Sequence, residues 1–80
     1  MLNVNPAASS QNVNFYVTVD ESSDEPRFGI KASVKDDEDD TEITERRFFT
    51  EGEAERCCKW LADNDVYPIT LNEVLHDLYL

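Results

Sequence analysis

Basic residues are scarce in this chain, which has 7 Lys and Arg against 18 Asp and Glu. The formal net charge is −11 and the isoelectric point is near 4.2. Nucleic acids and anionic membranes carry negative charge, so the electrostatic field of such a protein repels them. The composition therefore disfavours direct binding to nucleic acid or membrane and predicts a basic or neutral protein partner.

Residues that commonly carry chemistry are also few. The only glycines are Gly29 and Gly52, so the chain has no glycine-rich phosphate loop. His76 is the single histidine, and an ordinary helical position is a better interpretation than a general base. Cys57 and Cys58 are adjacent, whereas disulfide scaffolds and zinc sites need separated thiols, so we interpret both as reduced intracellular residues. We predict no enzyme activity, no catalytic or metal-binding residues, and no cofactor.

Long apolar runs are missing as well. No stretch approaches the ~20 apolar residues that cross a bilayer, and residues 1–14 lack the basic start and apolar centre of a signal peptide. We expect a soluble protein in the cytoplasm of a bacterial host. The 80 residues suffice for one domain without a deep cleft, and a hydrophobic fraction of 40% suffices for a core.

The apolar residues that are present alternate with polar ones in two segments. Residues 13–19 and 28–34 both follow the period-two pattern of a strand with one buried face. A third strand with a bulge or twist is predicted within residues 41–50, where the alternation breaks. Residues 1–12 lack periodicity and are predicted to be a flexible lead-in or a strand-like edge extension, which leaves residues 13–80 as a single domain.

Two helices follow the predicted strands. Thr50 and Glu53 have the spacing of a capping box, and Thr70 and Glu73 repeat it. Hydrophobic staples are predicted for Phe49 with Ala54 and for Ile69 with Val74, and Asn64 is a helix stop. The simplest assembly is an α+β domain of order β-β-β-α-α, in which a three-stranded antiparallel sheet carries a two-helix hairpin on one face.

Acidic residues concentrate in two turns of this predicted sheet. Because antiparallel neighbours alternate their ends, the two turns should lie at opposite poles, roughly 25 Å apart for strands of seven to nine residues. We predict that these clusters contact the partner: Asp20, Glu21, Asp24 and Glu25 at one pole, and Asp36, Asp37, Glu38, Asp39 and Asp40 at the other.

Three interpretations of the run Asp36–Asp40 compete. An EF-hand would need a glycine where Thr41 stands and helices on both sides, so only weak, adventitious calcium binding is compatible with the run. A solvated turn that keeps the sheet soluble is the ordinary explanation of an acidic run. Here the excess of carboxylates is larger than solubility requires, and their mutual repulsion favours a positively charged partner.

Two further surfaces offer contacts. The sheet face opposite the helices is predicted to expose a mixed aromatic and basic set, namely Tyr16, Lys31, Arg46 and Phe48, or simply to form cross-strand pairs. Near the C-terminus, Tyr67, Tyr79 and Leu80 either complete the core, which we prefer, or extend an apolar patch for self-association.

The short acidic chain, the predicted order of strands and helices and the segment RRFFTEGEAERCCKWL together resemble small phage-encoded inhibitors, in particular anti-CRISPR proteins and other DNA mimics. The resemblance implies inhibition by occupancy, in which carboxylates fill the basic groove of a nucleic-acid-handling protein such as a CRISPR effector. The alternative is a small interaction or assembly module, of which a homodimer is one form, that uses an apolar C-terminal region or the open sheet face, with the acidic charge serving solubility.

Overall fold

The computed structural model describes residues 5–22, 24, 26–45 and 47–79. The chain forms an α+β domain in which an antiparallel sheet precedes two helices. In chain order the elements are β1 (Ala8–Ser9), β2 (Val13–Val19), β3 (Phe28–Val34), β4 (Asp37–Ile43), α1 (Glu51–Asp63), a 3-10 turn (Pro68–Thr70) and α2 (Leu71–Leu78).

The sheet has four strands in the order β1-β2-β3-β4, so the predicted number of three is wrong. The additional strand is β1, in which Ala8 lies opposite Phe15 of β2. A two-residue strand is too short to show an alternating pattern, and only its pairing with β2 defines it. Residues 1–12 were predicted to be either a flexible lead-in or a strand-like edge extension, and Ala8 and Ser9 form such an extension.

Strand β4 both begins and ends earlier than the strand predicted within residues 41–50, since it spans Asp37–Ile43. The sequence assigns Asp36–Asp40 to a turn, whereas the hairpin turn is Lys35–Asp36 and the strand starts at Asp37. Aspartate is depleted in strands, so intrinsic preference gave no indication of this one. In the ladder with β3, Asp37 lies opposite Val34 but Thr41 lies opposite Ser33. This shift of register makes β4 bulge along its acidic part.

The core lies between one sheet face and the two helices. From β2 and β3, alternate side chains are fully buried, including Phe15 and Ile30. Helix α1 contributes Ala54, Cys57, Cys58 and Leu61, and α2 contributes Leu71 and Leu75, to the same apolar cluster. The other sheet face has no helix on it in the part of the chain that the structure describes.

Helix α1 starts and stops where the sequence predicts. The Thr50 hydroxyl oxygen accepts a hydrogen bond from the Glu53 N–H at 3.1 Å. At the other end, Asp65 has φ of 54°, and the Val66 N–H donates to the Leu61 carbonyl at 3.1 Å. This is the Schellman arrangement, which satisfies the last carbonyls and turns the chain toward the 3-10 turn.

Helix α2 starts differently from the prediction. The Thr70 side chain makes no cap hydrogen bond to α2 and instead donates to the Tyr67 carbonyl at 3.3 Å. Ile69 is 85% exposed, so the predicted staple with Val74 is wrong. A proline is favourable at the start of a helical turn, and here Pro68 opens a 3-10 turn that runs directly into α2.

Candidate functional site

The most concentrated charge lies on the β3–β4 turn and on β4. We call Asp36–Asp40 the acidic strand segment, and all five of its residues are exposed. Within it, the Asp37 carboxylate accepts a hydrogen bond from the Asp39 N–H at 3.2 Å, and the Thr41 hydroxyl donates to the Glu38 carbonyl at 2.6 Å. The segment is therefore the end of a short hairpin turn followed by an exposed, bulged edge strand with its own local hydrogen bonds.

No basic side chain of the described residues forms an ion pair with this segment. The ion pair that the structure shows joins Arg47 to Asp20, with 3.6 Å between the guanidinium nitrogen and the carboxylate oxygen. The five carboxylates of the segment thus face solvent without an internal counter-charge, and an external cation can reach them.

The second acidic cluster follows β2, and we call Asp20, Glu21 and Asp24 the acidic turn. Its fourth predicted member, Glu25, lies outside the described residues. The Asp20 carboxylate accepts hydrogen bonds from the Ser22 hydroxyl at 2.6 Å and from the Ser22 N–H at 3.1 Å. These contacts lower the pKa of Asp20. The hydroxyl hydrogen bond is the largest cause, the N–H hydrogen bond is the next, and the charge of Arg47 is a smaller one. This carboxylate is therefore partly engaged within the protein.

The sheet places the two clusters at opposite ends. The β2–β3 ladder runs from the pair Val19–Phe28, next to Asp20, to the pair Val13–Val34, next to the Lys35–Asp36 turn. These seven residue pairs are separated by six steps of ~3.3 Å, which correspond to about 20 Å. One flat partner surface would have to be at least that long to contact both clusters.

The open sheet face differs in part from the prediction. Tyr16 and Lys31 lie opposite each other and are half-buried, and Ile43 is the neighbour of Lys31 on β4. Phe48, predicted on this face, is only 3% exposed. The Phe48 backbone forms an isolated antiparallel bridge with Phe28. The Phe48 ring packs against the Tyr79 ring, with 5.8 Å between the ring centroids. Arg46 lies outside the described residues.

A cleft between α1 and the C-terminal end of α2 is a feature that the sequence analysis missed. We call it the helix cleft; its volume is about 430 Å³, and its lining residues are Glu53, Arg56, Cys57, Trp60, Leu78 and Tyr79. Trp60, Leu78 and Tyr79 are each about 40% exposed, so they neither complete the core nor lie fully in solvent. Leu80, predicted beside Tyr79, lies outside the described residues.

The spacing of the lining residues was a signal for this cleft. Glu53, Arg56, Cys57 and Trp60 follow the i, i+3, i+4, i+7 pattern of one helical stripe, adjacent to the stripe that enters the core. The pattern does not give the distance between α1 and α2, however, so the existence of the cleft could be seen only from the packing of the two helices.

Groups that could perform chemistry are poorly placed for it. Cys57 and Cys58 are buried, and desolvation raises the pKa of the Cys58 thiol to about 12, so it stays protonated at neutral pH. His76 is exposed on α2. Among the residues with described positions, no group of three or more His, Cys, Asp or Glu could hold a metal ion. None of the described helices has the length and apolar content needed to cross a membrane.

Comparison with known proteins assigns the chain to a family. No curated protein and no solved structure matches it. One family model covers residues 3–80, which include every strand and helix described above and both acidic clusters. On this match, the chain belongs to DUF6514, a family of unknown function.

Proposed function

We propose that the protein is a non-enzymatic inhibitor in the cytoplasm of a bacterial host. Its acidic clusters bind a basic, nucleic-acid-handling protein or complex and block the access of nucleic acid. The observation that carries this proposal is the acidic strand segment, which presents five exposed carboxylates that have no internal counter-charge in the described structure.

The compactness of the segment supports a strongly cationic partner surface. Residues 38–40 bulge out between Asp37, which lies opposite Val34, and Thr41, which lies opposite Ser33, so they fall within one step of the β3 ladder. In a regular strand each residue would advance ~3.3 Å, so the bulge concentrates the charge of these carboxylates. A groove lined with lysine and arginine, such as one that binds nucleic acid, offers the matching positive charge.

Protection of the sheet edge is the simpler explanation of this charge. Edge strands are commonly blunted by charge or by a bulge, because regular edges pair with other chains. Here the shift of register opposite Ser33 and Val34 already interrupts the regular edge. The run of carboxylates exceeds that requirement, and a cationic surface is the environment in which their mutual repulsion would be offset.

Neutralising the segment tests the proposal. Asp and Glu at positions 36–40 are replaced by Asn and Gln, which removes five of the eleven net negative charges. The matched control removes five exposed carboxylates from the helices and the residues after α1, through amides at Glu55, Asp63, Asp65, Glu73 and Asp77. Both variants have the same net charge and differ only in where the charge was removed.

The measurement is a pull-down from bacterial lysate at low salt, with stepwise salt elution and mass spectrometry, followed by DNA competition with the purified target. We expect the wild type and the control to retain a nucleic-acid-binding protein that elutes in a steep salt step. The segment variant should associate about 10-fold or more slowly, because electrostatic steering acts mainly on the association rate. Equal binding by both variants, or a target whose DNA binding is unaffected, contradicts the proposal.

The helix cleft favours a second candidate function, a protein-interaction or assembly module. In that case the apolar lining makes the main contact and the acidic charge maintains solubility. Ionic strength distinguishes the two candidates, since salt screens exposed charges but leaves apolar contacts intact. A partner that remains bound through the salt gradient supports the assembly module.

A further inference from the structure

The helix cleft and the acidic turn lie at the same end of the molecule, and this arrangement suggests an occupant. We propose that the cleft receives a large apolar side chain from a lysine- or arginine-rich segment of the partner protein, while the basic residues of that segment contact nearby carboxylates. The inference rests on the proposed function and adds to it the place and chemistry of an anchoring contact.

The shape and lining of the cleft suit an apolar side chain. Trp60 and Leu78 are 39% and 42% exposed, so a guest that covers them removes apolar surface from water. The cleft is open to solvent, and its volume of about 430 Å³ is sufficient for a large apolar side chain. Large side chains seated in such pockets commonly dominate the affinity of a protein interface.

Two charged side chains of opposite sign, Glu53 and Arg56, line the cleft. Glu53 is in the first turn of α1, and Arg56 follows it on the same stripe. The Arg56 guanidinium is near Gly52, at 3.6 Å from the position where a Cβ atom on that glycine would stand. Neither Glu53 nor Arg56 forms an ion pair within the described structure. The Glu53 carboxylate is therefore available to a lysine or arginine that flanks the apolar guest.

Contacts through the sheet place the cleft and the acidic turn at the same end of the molecule. Tyr79 packs edge-on against Phe48, and the Phe48 backbone exchanges hydrogen bonds with Phe28 at 2.7 and 3.2 Å. Phe28 lies opposite Val19, the residue immediately before Asp20. A partner segment that enters the cleft is thus close to the acidic turn.

Charge complementarity selects a basic segment over a second copy of this chain. Two copies would each bring a net charge of −11 to the contact, which opposes association. A segment that combines lysines with an apolar residue meets the apolar lining, the Glu53 carboxylate and the acidic turn at the same end of the molecule. An apolar segment without basic residues would leave those carboxylates unpaired.

Two synthetic peptides test the inference on the purified full chain. One is a short lysine-rich peptide with leucine at every fourth position, and the other has serine in place of each leucine. Trp60 is the single tryptophan and lines the cleft, so its fluorescence reports occupancy directly. Calorimetry at low salt gives both affinities. Leu78→Ser removes apolar lining, and Ile69→Ser is the control, since Ile69 is 85% exposed and is not among the lining residues.

We expect the leucine peptide to bind about tenfold more tightly than the serine peptide, from burial of one side chain. It should also shift the Trp60 emission to shorter wavelength. Leu78→Ser should abolish the preference, and Ile69→Ser should preserve it, with circular dichroism showing that both variants are folded.

Three results would overturn the inference. Equal binding of both peptides with unchanged Trp60 emission would mean that charge alone acts, and the proposed function would survive. Dimerisation of the free chain that Leu78→Ser abolishes would assign the cleft to a second copy. Binding of neither peptide at low salt would reject the inference together with the acidic contacts of the proposed function.

Discussion

Thr44 directly follows β4, the strand that carries most of the acidic strand segment, and connects the end of β4 to β3 by hydrogen bonds. It is 3% exposed and is the buried polar residue among the described residues. Its hydroxyl oxygen accepts a hydrogen bond from the Ile30 N–H at 2.9 Å, and its own N–H donates to the Ile30 carbonyl at 2.9 Å. The side chain thus supplies the acceptor for Ile30 at the point where the backbone leaves β4 for α1.

Replacing Thr44 with valine should destabilise the fold. Valine preserves the shape of the side chain but removes the acceptor, so the buried Ile30 N–H loses its hydrogen bond. Leaving such a donor unsatisfied costs about 1–3 kcal/mol. In a domain of this size, each kcal/mol corresponds to a decrease of roughly 4–8 °C in Tm.

Thr18→Val is the matched control. In the wild type, the Thr18 hydroxyl oxygen is the buried side-chain atom for which the described structure shows no hydrogen-bond partner. Thr18 and Thr44 approach Gly29 closely, at 2.8 and 3.3 Å from the position of a Cβ atom there. The same substitution at Thr18 removes a desolvated hydroxyl without breaking a bond, so the free energy of unfolding should stay constant or rise.

Urea unfolding followed by Trp60 fluorescence and by circular dichroism measures both variants. We expect a lower midpoint for Thr44→Val, an equal or higher midpoint for Thr18→Val, and unchanged m-values. If Thr44→Val is as stable as the wild type, or if both valines destabilise equally, then the hydrogen bond to Ile30 does not stabilise this end of the sheet as argued.

Two further predictions concern titratable groups. Hydrogen bonds from Ser22 lower the pKa of Asp20 from 3.8, so the stability that its ionised form contributes is present above pH 3.8 and is lost as pH falls through the lowered value. Ser22→Ala should raise that pKa in an NMR titration, whereas an unchanged value would exclude these bonds as its cause. Burial raises the pKa of Cys58 from 9.0 to about 12, so stability should decrease as pH rises above 9.0, where the unfolded thiol ionises first. In a Cys57→Ser variant, iodoacetamide should modify Cys58 only as fast as the protein unfolds, and rapid modification of the native state would contradict its burial.

Local features of the sequence were sufficient for β2, β3 and α1. In both strands, a buried sheet face imposes a period of two on the apolar residues, and this period is visible without the fold. The start of α1 depends on Thr50 and Glu53, which are three residues apart, so the capping interaction is local. The positions of the acidic clusters at opposite ends of the sheet follow from the antiparallel order of β2 and β3.

Interactions between distant residues decided the rest. Strand β1 exists through its pairing with β2, and β4 is a strand despite its aspartates because Asp37 and residues 41–43 pair with β3 on either side of the bulge. Thr70 resembles a helix cap, but the 3-10 turn before α2 changes the partner of its hydroxyl. The sequence by itself thus determined the charge, the two central strands and the first helix, since these depend on composition and on nearby residues. The tertiary structure decided the edge strands, the burial of Phe48 and the helix cleft, because each requires packing between segments that are far apart in the chain.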